Sequence, residues 1–218
     1  IPIAIKNTFD AKADGTLITK ISSNTNPIKG ISHIENMTLL TLEGSGMVGI
    51  PGFSSKLFAS LAQEKINVSL ITQASSEHSI CVAISSNDTA NAKKVINKTF
   101  NYEFKQQKLD PLVVEKNNAI IALVGDNMKS HQGISGKMFS TLGRNNVNIR
   151  AIAQGASEKN ISAVIAHKDI KKALNTLHSE FFEGQTKQLN LFVVGVGNVG
   201  GKLLQQINNQ QNYLLENL

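Results

Sequence analysis

The chain is poor in the groups that most often carry chemistry. Its 218 residues hold one cysteine, Cys81, and no tryptophan, and aromatic residues make up 5%. One cysteine excludes an intrachain disulfide and leaves no cysteine cluster for a metal. Cys81 lies in an apolar, strand-like run, where a buried thiol is expected. The five histidines, at 33, 78, 131, 167 and 178, are far apart and have no ligand spacing, so no metal site is expected. No P-loop, H-E-x-x-H pair or nucleophile elbow occurs, and no catalytic residue is assigned. No apolar run approaches the ~20 residues of a membrane-spanning helix. The first residues, Ile1-Pro2-Ile3-Ala4-Ile5-Lys6, form no signal peptide and include no initiator methionine. A longer parent chain and a cytoplasmic setting are the expectation.

Concentrated charge is also missing. The net charge is +6, yet the only adjacent basic pairs are Lys93-Lys94 and Lys171-Lys172. Each falls on an expected helix and reads as a solvated face. Without aromatic platforms for bases, a nucleic-acid partner is not expected.

What the chain has is an internal repeat. Residues 67–84 recur at 148–165, an offset of 81 without a gap. Asn67 meets Asn148, Ile71 meets Ile152, Gln73 meets Gln154, and Ser76-Glu77 meets Ser157-Glu158. The register extends upstream. Gly44-Ser45-Gly46-Met47 meets Gly125-Asp126-Asn127-Met128, and Gly52, Ser54, Lys56, Phe58 and Leu61 meet Gly133, Ser135, Lys137, Phe139 and Leu142. Two copies of about 80 residues are two small domains, since a solenoid needs three or more shorter units.

Each copy reads β-α-β-β-α-β, the split βαβ order of an antiparallel four-stranded sheet with two helices on one face. In the first copy the strands are 37–42, 68–72, 79–84 and 111–114. Phe53, Leu57, Phe58 and Leu61 form a helical stripe, with Ser54 or Ser55 as its cap. Asp88 caps a second helix. The second copy shows strands at 119–124, 147–153 and 161–167 and helices at 134–145 and 169–182, and then lacks a fourth strand. Residues 1–9 are a strand without a partner, and 16–21 a short strand within a polar loop. The simplest accounting gives residues 1–9 to the second copy. The expected domains are thus 31–117, then 1–9 with 118–184, then 189–218.

The last of these holds a glycine-rich turn. Gly195, Gly197 and Gly200 follow the apolar run 191–194 and precede a helical run at 202–207. This is the strand–turn–helix setting in which glycines let a pyrophosphate approach a helix amino terminus. The second parallel strand and its acidic residue do not follow, so this stretch is expected not to bind NAD(P) usefully, and no cofactor is assigned to the chain itself.

The candidate effector site is drawn from the repeat. Gln73 and Gln154 end the second strand of each copy, and a glutamine amide both donates and accepts. Asn67 with Val68, and Asn148 with Ile149, occupy the turn before that strand. The loops carrying Ser45, Gly46, Met47 and Gly52, and Asp126, Asn127, Met128 and Gly133, lead into the first helix. There free N–H groups and the helix dipole suit a carboxylate.

These residues carry a resemblance. The chain resembles the tandem ACT regulatory region of aspartate kinases, and more narrowly that of the bifunctional aspartokinase–homoserine dehydrogenases. It does so through Ile5-Lys6-Asn7-Thr8, Gly15-Thr16-Leu17-Ile18, Lys29-Gly30-Ile31-Ser32, residues 71–77, Val124-Gly125-Asp126, residues 152–158 and residues 194–201. The resemblance implies an α+β fold of two ACT (ferredoxin-like βαββαβ) modules, the second discontinuous, followed by the start of a Rossmann domain. It implies a non-catalytic region of an enzyme that phosphorylates aspartate with ATP and Mg and reduces aspartate semialdehyde with NAD(P)H. It also implies threonine as feedback effector, contacts at Gln73 and Gln154, and a homo-oligomer through ACT pairing. Ser45 facing Asp126 and Ser75 facing Ala156 imply two unequal sites. The alternatives are a lysine-sensing region of a monofunctional aspartokinase and a ligand-free oligomerisation module.

Overall fold

The structure, a computed structural model, describes residues 2–10, 12, 15–19, 27–73, 78–126, 128, 131–155, 159–183, 193–195 and 197–210. It divides into two units, Ile1–His178 and Ser179–Leu218.

The first unit is built on one antiparallel sheet of six strands. Their order is β4 (Val68–Gln73), β5 (Ser79–Ser85), β3 (Ile28–Glu43), β6 (Val113–Gly125), β8 (Asn160–Ala166) and β7 (Ile149–Gln154). The order reads the same from both edges, because the offset of 81 carries β4 onto β7, β5 onto β8 and most of β3 onto β6. Helices α1 (Phe53–Gln63) and α2 (Thr89–Thr99) belong to the first repeat, α4 (Ile134–Arg144) and α5 (Ile170–Phe182) to the second. A short helix, α3 (Asn101–Lys105), extends the first.

The alternation of strand side chains divides the sheet into two buried faces. Leu40, Leu42, Ile80, Val82 and Ile84 pack with Leu57 and Leu61 of α1 and with Ala92, Ile96 and Phe100. The second repeat buries its counterparts Ile121, Leu123, Ile161, Ala163, Ile165, Met138, Leu142, Ala173 and Leu177. The other face is buried too. Met37, Leu39, Leu70, Ala83, Ile120 and Val164 cluster there with Cys81, Ala151 and Ala153. Small side chains let the sheet curl, and its edge strands β4 and β7 come within 8 Å of one another. Burial pushes the Cys81 thiol above its ordinary pKa, against a hydrogen bond with Thr41.

The long strands β3 and β6 each serve both repeats. Residues 37–43 of β3 pair with β5, while residues 28–34 pair with 120–125 of β6. The change-over carries register shifts between Ile34 and Met37 and between Met37 and Leu39. Asn36 and Asn117, 81 residues apart, both take left-handed backbone there, at φ 56° and 60°. Asparagine tolerates that region, and a bulge of this kind bends a strand and strengthens its twist.

The sequence reading gave the missing fourth strand of the second repeat to residues 1–9. In the structure that place belongs to residues 28–34. The strand β1 (Ile3–Ile5) pairs instead with β2 (Thr16–Ile18) in a separate two-stranded sheet. The physical reason is continuity: one strand running from 28 to 43 adds its ladder bonds to both repeats without an intervening loop. The expected strand over 111–114 is likewise the first part of β6, and the helix cap expected at Ser54 or Ser55 is Gly52. Among the described residues no helix is long and apolar enough to cross a membrane.

Candidate functional site

Helix α1 begins from a glycine that no other residue replaces cheaply. Gly52 caps it at φ 99°, and Gly133 caps α4 in the same way at φ 86°. In that left-handed region a side chain is strained. Neither helix start has a side-chain cap, so the first N–H groups of the helix are available to a ligand. The preceding residues Gly49, Ile50 and Pro51, together with Met47, Phe53, Ser54, Ile80 and Gln73, line a cleft of about 300 Å3. Strand pairing brings Gln73 here, since Gln73 lies opposite Ile80 across the β4–β5 ladder.

The lining decides what the cleft can hold. It offers the Gln73 amide, the Ser54 hydroxyl and the backbone of a helix start, above Met47, Ile80 and Phe53. A carboxylate suits the helix start, and an ammonium or hydroxyl can be met by the Gln73 carbonyl oxygen. The lining contains no carboxylate that would neutralise a second ammonium. Its volume is at the small end of ligand clefts, about 300–1,000 Å3.

In the second repeat the same pair is joined. The Ser135 hydroxyl donates to Gln154 Oε1 at 3.2 Å. Gln154 is therefore tied to the first turn of α4, whereas among the described residues Ser54 and Gln73 make no such bond.

The structure assembles only part of the expected set. Gln73, Met47 and Gly52 share the cleft. Ser45 and Gly46 do not line it; Gly46 N–H donates to the Lys108 carbonyl at 2.9 Å. Val68 opens β4, about 17 Å along the strand from Gln73, and Asn67 precedes it. Asn148 and Ile149 stand likewise to Gln154. Asp126 is exposed and its N–H donates to the Pro27 carbonyl at 3.0 Å, while Met128 is buried. Asn127 lies outside the described residues. Sequence reasoning missed Ile50, Pro51 and Ser54 as lining; the Ser54–Ser135 match in the repeat was the available signal for the last.

A strap holds the back of α1. Lys56 Nζ reaches Glu103 Oε1 at 2.6 Å and lies 4.8 Å from the Phe100 ring centre. Burial raises the Glu103 carboxyl pKa, but the Lys56 hydrogen bond and the charges of Lys56 and Lys108 outweigh it and leave the value lowered. A lowered carboxyl stabilises the fold above its unfolded pKa, about 4.3, and that contribution is lost as pH falls through the folded value. Thermal melts from pH 7 to pH 3 are expected to show a steeper acid limb for the unmodified chain than for Lys56→Met. Parallel acid limbs would remove the strap from the account.

In the second unit, helix α6 (Asn198–Asn209) starts directly after Gly197. Gly195 has φ 89°. A Cβ on Gly200 would lie 2.1 Å from the Gly195 carbonyl oxygen, so the helix closes on the turn only because Gly200 has none. Residues 184–192 and Val196, and with them most of the strand expected at 189–194, lie outside the described residues.

The sequence profile of the ACT domain matches residues 40–100 and again 121–181. The bifunctional aspartokinase/homoserine dehydrogenase of Haemophilus influenzae is 40% identical over 217 residues, covering 98% of this chain and 26% of that protein. The chain thus spans about a quarter of the length of this relative. Among solved structures, the aspartate kinase of Clostridium acetobutylicum, described as an allosteric enzyme, matches with a TM-score of 0.69 at 30% identity, over 83% of this chain and 42% of that one. Aspartokinase III of E. coli, in complex with lysine and aspartate, matches with a TM-score of 0.61 at 29% identity, over 84% and 39%. The chain belongs to the ACT domain family and carries two copies of the domain, of the aspartokinase type.

Proposed function

We propose that this chain is the amino-acid-sensing region of an aspartokinase/homoserine dehydrogenase, and that its effector is threonine. The observation that carries the reading is the meeting of Gln73, Ser54 and the start of α1 around one small cleft. The ligand carboxylate lies against the first N–H groups of α1. Gln73 takes the ammonium or the hydroxyl, and Met47 and Ile80 meet the methyl group. Lysine fits less well, because the cleft has no carboxylate for a second ammonium. Effector binding favours one arrangement of ACT modules over another, so inhibition is a population shift with a coupling of about 1–3 kcal/mol.

The parent enzyme phosphorylates aspartate with ATP and Mg and reduces aspartate semialdehyde with NAD(P)H. Gly195, Gly197 and Gly200 form the first turn of its dinucleotide-binding domain, and the ACT modules pair between chains in a homo-oligomer.

Gln73→Ala removes one amide partner and costs about 0.5–1.5 kcal/mol, or a roughly two- to thirteenfold weaker threonine affinity. Gln154→Ala is expected to change it less, since Ser135 already occupies one face of that amide. Calorimetric titration of both variants checks this. Unchanged affinity in both would remove the glutamines from the site.

A further inference from the structure

A second cleft, on the other repeat, is not used by this reading. It has a volume of about 450 Å3 and is lined by His33 and Glu35 from β3 and by residues at the start of α5 and just before it. Those are His167, Lys168, Ile170, Lys171, Leu174 and Asn175. The sole carboxylate in the lining, Glu35, accepts from or pairs with His33 Nε2 at 3.1 Å. The nearby Asp169 carboxylate is paired with Lys172 at 3.8 Å. Among the described residues Lys168, Lys171 and His167 have no side-chain partner. Two lysines and a second imidazole therefore face a cleft whose one acid is already engaged. Ile170 and Leu174 give it an apolar floor, and Ile170 is buried.

The repeat supplies an internal control for what the fold itself requires at this place. At the matching positions of the first copy stand Ser86, Asn87, Thr89, Ala90, Lys93, Lys94, Val114 and Lys116. Two of these turn inward: Ser86 and Thr89 join Thr38 through hydroxyl contacts of 3.0 and 2.9 Å. The same backbone is thus completed without a histidine, and its lysines, at 93, 94 and 116, stand where the second copy has Leu174, Asn175 and Glu35. The placement of His33, His167, Lys168 and Lys171 is therefore particular to the second copy and not a condition of its folding.

We infer that the cleft between His33 and the start of α5 is a binding site for a phosphate-bearing small molecule. Lys168 and Lys171 neutralise the dianion, the His167 imidazole N–H donates to its oxygens, His33, held on Glu35, forms the opposite wall, and the Ile170–Leu174 floor meets whatever the phosphate is attached to. Charge-assisted hydrogen bonds of this kind are roughly twice as strong as neutral ones. Lysine serves here as a point charge, with no demand for bidentate geometry. The site is independent of the threonine cleft, so either assignment stands if the other fails.

The test uses the whole 218-residue chain and its five histidines. Imidazole resonances are followed by nitrogen–proton NMR during titration at fixed pH and fixed ionic strength. The probes are inorganic phosphate, adenosine 5′-phosphate and adenosine. Saturable shifts of His33 and His167 are expected with both phosphates and not with adenosine, while His78, His131 and His178 stay fixed. Shifts with adenosine 5′-phosphate alone would assign the site to esters over the free ion. The Lys168→Gln, Lys171→Gln double variant, altered only at exposed positions, is expected to weaken the response about tenfold. Equal drift of all five histidines, or no saturation with either phosphate, overturns the inference.

Discussion

Phe100→Ala is expected to destabilise the first repeat by about 3–5 kcal/mol, the range for truncating a fully buried aromatic. Phe100 is 0% exposed and stacks on Phe53, with ring centres 5.9 Å apart and planes 6° from parallel. It also closes α2, donating its N–H to Ile96 at 2.9 Å, and accepts from Phe104 at 3.0 Å to start α3. The void left by the ring would touch both helices and the Lys56 strap. A domain of this size has only about 5–15 kcal/mol in total, so the variant should unfold at markedly lower urea. Because Phe53 also lines the effector cleft, threonine affinity is expected to fall with stability. A midpoint shift equivalent to less than about 1 kcal/mol would contradict the packing described, since truncation without a cavity is the only way to reach so small a cost.

Gly125→Ala is the second large effect, and it tests the sharing of strands. A Cβ at Gly125 would stand 2.0 Å from the Pro27 carbonyl oxygen and 3.2 Å from Met128 Cγ. The backbone has no room to retreat. Gly125 N–H donates to Lys159 at 2.9 Å, and the next N–H, of Asp126, donates to Pro27 at 3.0 Å. Relieving the clash means detaching the start of β3 from the end of β6, where Ile28 pairs with Gly125. A loss of about 3 kcal/mol is expected, the upper range for forced overpacking. Faster amide exchange over residues 28–34 should accompany it. Gly136→Ala gives the contrast: it lies inside α4, with nothing within 4 Å of its Cβ position. That change should stabilise by about 0.5–1 kcal/mol. Equal, small effects at both glycines would mean that residues 28–34 are not the strand completing the second repeat.

Much of this architecture was legible because the repeat is ungapped. The same offset that aligns Gln73 with Gln154 aligns Leu40 with Ile121, Leu57 with Met138, and the left-handed Asn36 with Asn117. Counting strands showed that the second repeat had to borrow one. It named the wrong one because residues 28–34 carry Lys29, Gly30, Ser32 and His33, which blur the alternation expected of a strand with one buried face. The apolar residues 1, 3 and 5 looked the better strand, yet Ile3 and Ile5 are more than half exposed. The curl of the sheet had no sequence signal of its own. It rests on small residues, Ala83, Ala151 and Ala153, whose meaning depends on what lies opposite. At the site, the repeat pointed to the glutamines and the helix starts, and the structure brings Gln73 to the start of α1 and Gln154 to that of α4. It pointed equally to Asn67 and Asn148, which follow the left-handed residues Lys65 and Asn146. A turn that the fold needs twice would repeat in the same way, and a repeat alone does not separate turn from ligand contact.

The central claim is that the cleft at Gln73 receives threonine. Calorimetric titration of the unmodified chain with threonine, lysine, methionine and isoleucine in turn tests it most directly, with light scattering to follow assembly. The account predicts saturable heat with threonine alone. Saturation by lysine and not by threonine, or no saturation by any of the four with an intact assembly, would contradict it.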